Sequence, residues 1–359
     1  MSTTHFATVA QDRSSAPRPR AGTKAAGARL HRPLLGTVAA MAALVLFSLA
    51  AMLVDDRELL GESVWLKPMK FGLAFFLYSL TLAWLLSLPH KRSRATWWLG
   101  TVFAVTGFID VGFIVLQAAR GTFSHFNTED DPVNSIGQVV FASGVPGLFL
   151  ANLLIVLILA WQRLVDRPTA RAIHAGLALA VVGMALGYLM GFTGKQLVRD
   201  SAGRIVELAA GHTVVADPGE LAPRDAMGGM PITHWSTVGG DLRVPHFVGL
   251  HGIQVLLVVA VTLAWLAPRY RWLRPERARA AVVGVFAAGY AGLLALVFWQ
   301  AMRAQSLVHP DPATWLAASG LVATVGALLG AVFLRHRDTG AAHRRTAAGP
   351  VSADVPPHG

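Results

Sequence analysis

The stretch Trp65-Leu-Lys-Pro-Met-Lys70-Phe-Gly-Leu-Ala-Phe-Phe-Leu-Tyr-Ser-Leu80-Thr-Leu-Ala-Trp-Leu-Leu-Ser-Leu-Pro-His90-Lys-Arg92 decides the fold. Between Lys70 and Lys91 no residue carries a formal charge, and the run is long enough to cross bilayer hydrocarbon as a helix, which takes roughly 20 mostly apolar residues. Seven further segments have the same character. The spans are predicted at 33–54, 66–88, 97–119, 138–161, 173–193, 246–267, 280–303 and 314–334. The expected fold is an all-α membrane protein of eight transmembrane helices. Composition agrees: of 359 residues, 54% are hydrophobic and 14% charged, where a soluble domain carries about a quarter charged. Mean hydropathy is +0.50.

The segments between spans alternate in charge. Lys91, Arg92 and Arg94 follow span 2; Arg163, Arg167 and Arg171 follow span 4; Arg269, Arg271, Arg274, Arg277 and Arg279 follow span 6. Together with both tails, this face holds 21 of the 31 Lys and Arg, which makes it cytoplasmic. The expected location is the bacterial inner membrane, with both termini inside. The net charge of +11 is then explained by the bilayer rather than by nucleic acid. Residues 1–32 are expected to be a disordered basic tail rather than a cleaved signal, and 335–359 a second tail. The only long loop, 194–245, lies outside and is expected to hold a small hairpin turning at Asp200 to Gly203.

Two stretches look alike. Gln117-Ala-Ala-Arg120 ends span 3 and precedes Asp131-Pro132; Gln300-Ala-Met-Arg303 ends span 7 and precedes Asp311-Pro312. The approaches to spans 2 and 6 also match, with Gly61-Glu62 before Pro68 and Gly240-Asp241 before Pro245. The pattern predicts a parallel 4+4 duplication, halves 33–161 and 162–334, related about the membrane normal.

With no cysteine, thiolate metal sites, cysteine-ligated iron–sulfur clusters and cysteine catalysis are excluded. No Walker sequence, dinucleotide-binding glycine pattern, HExxH or nucleophile elbow is present, so no catalytic residue is assigned. Asp110 is the single acid deep in a span, and it either carries function or fastens two helices. Gln117 shares its face. Lys67 and Lys70 open span 2 from outside; they snorkel to lipid phosphates, bind an anion, or pair with Glu62 or Asp110. Arg120 and Arg303 admit the same readings. Six histidines fall on the outer side: His125, His212, His234, His246, His251 and His309. His246 and His251 flank the start of span 6 and are the candidate metal pair, with His125 and His309 as further cofactor ligands. Gln254 and Gln300 complete the polar set. The histidines of the tails and inner loops, including His31 and His174, are expected to be solvated.

The runs around Trp65–Phe71, Arg120–Asn127 and His246–His251 resemble a family of bacterial polytopic membrane proteins sharing W-x-K-P-x-K-F and H-x4-H segments. That resemblance implies a multi-pass membrane protein and brings no activity with it. The layout is also similar to haem A synthase, a family with histidine ligands in spans 2, 4, 6 and 8; spans 2, 4 and 8 here have none. Three functions stay open: a redox protein binding haem or a metal ion near the outer face, a small-solute transporter lined by Asp110, Gln117, Gln254 and Gln300, and a receptor or assembly factor using the outer loop. Beyond the lipid bilayer, the sequence names no partner.

Overall fold

The computed structural model describes residues 30–162, 165–217, 219 and 221–337. The predicted tail 1–29 and the segment 338–359 lie outside these. Among the described residues the helices are α1 (Arg32–Ala51), α2 (Leu66–Ser87), α3 (Ser93–Ala119), α4 (Pro132–Leu159), α5 (Arg167–Gly187), α6 (Arg243–Leu250), α7 (Gly252–Leu266), α8 (Glu276–Met302) and α9 (Pro312–Arg337). Seven helical segments are long and apolar enough to cross a membrane, α5 together with the 3-10 turn to Phe192 counting as one. The pair α6 and α7 passes the same test together and is bent by 42° at the break. This is the architecture of an all-α, multi-pass membrane protein. The predicted start of the C-terminal tail at Arg335 is too early, because α9 runs on to Arg337.

Local chemistry sets the helix ends. Asp131 caps α4 by accepting the Val133 and Asn134 amides, and Pro132 follows at the first helical position, where a missing N–H costs nothing. Asp311 accepts the Thr314 amide at the head of α9, again followed by a proline. His31 caps α1 through Nδ1, and its Nε2 lies 2.8 Å from the Trp97 carbonyl. His31 is therefore a buried structural residue, not a solvated one. His174 also has its Nε2 sealed in protein. Helix α4 continues unbroken through Pro146.

In the first half α1 packs on α2 and α3, α2 on α3, and α3 on α4. In the second, α5 packs on α6, α7 and α8, α6 and α7 on α8, and α8 on α9. The halves meet through α4 and α5, where the Tyr78 hydroxyl donates to Asn152, whose amide reaches Met184. The core there is Phe103, Leu148, Ile155, Ile173, Leu177 and Ile253.

Glycine sets one close approach. A Cβ on Gly183 would lie 2.3 Å from the Leu250 amide nitrogen, so the α5 and α6 backbones touch directly. Gly187, one turn further along α5, packs on the His246 ring, while Gly191 has nothing within 4 Å. Just before the α6–α7 break, the Val248 carbonyl accepts the Tyr290 hydroxyl at 2.7 Å, satisfying an acceptor where the chain bends.

Short antiparallel pairs build the end of the bundle where the long loop 194–245 lies. Strand β1 (Glu58–Leu59) pairs with β2 (Glu62–Ser63), β3 (Gln196–Arg199) with β4 (Ile205–Leu208), and β5 (Thr213–Val214) with β6 (Gly240–Asp241). The β3–β4 hairpin has the predicted turn, with Gly203 at φ +79° and the Asp200 carboxylate accepting the Ala202 and Arg204 amides. Pairing β5 with β6 draws the loop back onto the start of α6.

Candidate functional site

Four chain segments converge at one end of the helices. The first turn of α2 brings Lys67, Lys70 and Phe71. The segment after α3 brings His125 and Phe126. The long loop supplies His212, Asp225 and His234, and the head of α6 supplies Asp241, Arg243 and His246. Phe71 and His125 lie 5.7 Å apart between ring centroids, and Phe126 stands 6.2 Å from both His125 and His212. Lys67, His125, His212 and His246 keep some surface open, although protein encloses each of them deeply. Lys67, His212 and His246 lie within electrostatic reach of His125, which places the four side chains near one another.

The acids of this region are almost all committed. Asp225, 5% exposed, accepts the His212 and Thr213 amides at 3.1 Å, Gln196 Nε2 at 3.0 Å and His212 Nδ1 at 2.8 Å. Asp241, 2% exposed, accepts the Ser236 amide and the Arg243 guanidinium. Arg243 also donates to the His234 carbonyl. Glu62 accepts from Lys70 at 3.1 Å and faces His234 Nδ1 at 3.4 Å. Buried charges need such partners, since an unpaired one costs several kcal/mol. Lys67 breaks the pattern: among the described residues it has no hydrogen bond and no ion pair.

Burial acts on the titrating groups here. It drives His125 well below the usual imidazole range, and the charge of Lys67 pushes the same way. Burial also lowers His212, outweighing the charge and hydrogen bond of Asp225, which favour its protonated form. For Asp225, burial favours the neutral acid, but the charge and hydrogen bond of His212, the charge of Arg243 and the bond from Gln196 together hold it below the carboxylate range. The His212 contribution to Asp225 supposes a charged ring, whereas the burial of His212 favours a neutral one. The bonds from Gln196 and two backbone amides need no charge on His212. The pair is therefore an ionised carboxylate receiving the Nδ1–H of a neutral ring. His246 is oriented likewise, with Nδ1 at 2.8 Å from the Gly183 carbonyl. A carbonyl only accepts, so this nitrogen carries the proton.

A cleft of about 440 Å³ is lined by Glu62, Leu66, Gly229, Met230, Ile232 and His234, among others. Ile232 and His234 adopt left-handed backbone conformations, φ +68° and +54°, which are costly for side chains of this kind. Lys70 ties this segment down through the Thr233 carbonyl.

The remaining predicted residues lie elsewhere. Asp110, 3% exposed, sits in the α3–α4 seam against Gly144, with Oδ1 unpartnered. Gln254 belongs to a different seam, where it donates to Thr81 of α2. His251 marks the α6–α7 break and stacks on Phe247, ring planes 5° apart. His309 is exposed and bonds the Thr237 carbonyl. The paired helix ends serve as clamps. Gln117 Nε2 reaches the Phe123 carbonyl, and Gln300 Nε2 the Ser306 carbonyl, each six residues on. Arg120 pairs with Asp131, and Arg303 with Asp311. Of the alternatives open to the two lysines, Lys70 takes pairing with Glu62, whereas Lys67 pairs with neither Glu62 nor Asp110. Among the described residues, no three His, Asp or Glu side chains are grouped to hold a metal ion.

The sequence reading passed over Asp225, Asp241 and Arg243 as site residues. Asp241 had one signal, its place in the Gly240-Asp241 match to Gly61-Glu62. Asp225 had none, because its partners come from segments 12 to 29 residues away. No family model matches the chain, and neither does any curated protein or solved structure.

Proposed function

We propose that this chain is an eight-span protein of the bacterial inner membrane, with both termini in the cytoplasm, that binds a small anionic solute at its extracytoplasmic end. Lys67 carries the reading: an enclosed amine with no hydrogen bond and no ion pair among the described residues, in a region where Glu62, Asp225, Asp241 and Arg243 are paired. A bound anion supplies the missing partner, and Lys70 and Arg243 add to the positive potential. The bent pair α6–α7 counts as the sixth span. Matching clamps at the ends of α3 and α8, and the like packing order of the two sets of helices, support a duplicated four-span unit. Asp110, the acid buried between α3 and α4, is where a coupled proton would reside.

The redox reading has one observation in its favour. His212 and His246 each donate Nδ1–H to a carboxylate or carbonyl, the arrangement that orients metal-ligating imidazoles. Lys67 and Arg243 beside them disfavour a cation. An absorption spectrum of the purified protein tests this reading, because bound haem gives a Soret band.

The anion reading is tested by thermal unfolding in detergent with chloride, acetate, sulfate and phosphate. At least one should raise the midpoint of the wild type. Lys67→Met should weaken that anion's binding roughly tenfold or more, since a charge-assisted hydrogen bond contributes about 1.5–3 kcal/mol. If none of the four shifts the wild type, the reading fails.

A further inference from the structure

The connection between α7 and α8 carries five arginines, Arg269, Arg271, Arg274, Arg277 and Arg279, and one acid, Glu276. Glu276 accepts the Arg167 amide at 2.6 Å. Among the described residues, none of the five arginines forms an ion pair. Two of them line a cleft of about 480 Å³ together with Ala264, Ala267 and Pro268. Backbone carbonyls anchor both. Arg279 Nη1 donates to the Leu273 carbonyl at 2.9 Å and to the Arg274 carbonyl at 2.7 Å, and Arg274 Nη2 donates to the Pro268 carbonyl at 3.2 Å. Arg279 Nη2 has no hydrogen bond and is not sealed in protein. Arg274 is exposed, and its Nη1 and Nε are unbonded. The cleft therefore offers two neighbouring, anchored cations with N–H groups to spare, and no carboxylate lines it.

Trp265 and Tyr270 are exposed beside the cleft, and the Arg269 guanidinium lies 3.9 Å over the Trp265 ring. Exposed aromatic rings at the end of a span sit among lipid headgroups, which puts the cleft at that level. Val261, exposed on α7, precedes Ala264 by three residues and shares its face. An apolar strip thus leads from the hydrocarbon to a cationic cleft. From this arrangement we infer that the cleft binds the headgroup of an anionic phospholipid, with Arg274 and Arg279 on the phosphate oxygens and an acyl chain along Val261 and Ala264. Guanidinium N–H groups match phosphate oxygens in geometry as well as charge. A choline or ethanolamine head would bring its own ammonium against the arginines, with Glu276 already engaged. The headgroup selected is therefore one without a cation, such as phosphoglycerol. The inference is independent of Lys67, which lies at the other end of the helices.

Native mass spectrometry of the full chain, released from nanodiscs of equal phosphatidylglycerol and phosphatidylcholine with matched acyl chains, tests it. The wild type should retain phosphatidylglycerol in preference. Arg274→Gln combined with Arg279→Gln should reduce that preference about fivefold for each charge removed. Lys91→Gln combined with Arg94→Gln takes two exposed charges from another basic connection and should leave the preference unchanged. If the first double variant aggregates, Arg274→Gln alone serves, because that exposed side chain makes a single hydrogen bond. A wild type without preference, or a preference that survives the loss of both cleft arginines, overturns the inference. Equal losses in the two double variants overturn it too, since the attraction then belongs to the basic face as a whole. Displacement of the retained lipid by inorganic phosphate overturns the lipid assignment and gives the cleft to the free ion.

Discussion

Lys67 and Lys70 stand three residues apart on one face of α2, yet their roles differ completely. Lys70 is neutralised by Glu62 and tethers the Thr233 carbonyl. Lys67 has no such bonds, which makes it the residue on which the proposed function turns. The histidines nearby yield a pH prediction. Burial depresses His125 and His212 below the ordinary value of 6.5, so the unfolded chain takes up protons that the folded chain refuses. The stability they contribute is fully present above pH 6.5 and is lost as the pH falls below it. Asp225 acts in the same direction further down, being depressed from 3.8. Hydrogen exchange across 194–245 should therefore quicken as the pH drops from about 7 to 5, after correction for intrinsic exchange, with the α1–α2 region unchanged. A loop whose corrected exchange stays flat over that range would mean that these rings are charged or exposed in the native state.

At the scale of elements, the seam between α5 and α6 is held by backbone contact rather than by interdigitated side chains. Gly183→Val places two methyls where the Leu250 amide already stands, and the helices must separate. Overpacking of this kind costs about 1–3 kcal/mol, with more where backbone must move. The midpoint of thermal unfolding should fall clearly for Gly183→Val and stay close to wild type for Gly191→Ala, which meets open space. Equal behaviour of the two variants would contradict this packing. The same seam positions the site, because Gly183 supplies the carbonyl that orients His246. Gly183→Val is therefore expected to weaken anion binding as well.

For the whole molecule, the charge asymmetry of the loops predicts orientation. Reporter fusions after residues 93, 167, 275 and 340 should all read cytoplasm, and a periplasmic signal at any of them breaks the eight-span topology. The bent pair is the decisive case. If α6 and α7 formed a re-entrant loop instead of a span, fusions at 275 and 340 would fall on opposite sides from those at 93 and 167. The break at His251 leaves the pair long enough to cross only if both pieces are used, since α7 alone has 15 residues.

The apolar runs and the basic loops were legible in the sequence because lipid imposes its demand on every span separately. A span must be long, apolar and internally hydrogen-bonded whatever it packs against. The β3–β4 hairpin, the caps at Asp131 and Asp311 and the Lys70–Glu62 pair were readable for a related reason, being short-range in the chain. The sequence also marked these histidines as a class, without distinguishing His212, which is enclosed and bonded to Asp225, from His309, which is exposed. It put Asp110 and Gln254 together, yet they occupy separate seams. Only the tertiary structure decided that Asp225 would orient His212, that Gly183 would orient His246, and that Lys67 would be left without a partner. These relations join residues brought together by the folding of an irregular loop onto helix ends. No periodicity governs such a loop, and its hydrogen bonds are satisfied by whichever distant groups the packing delivers.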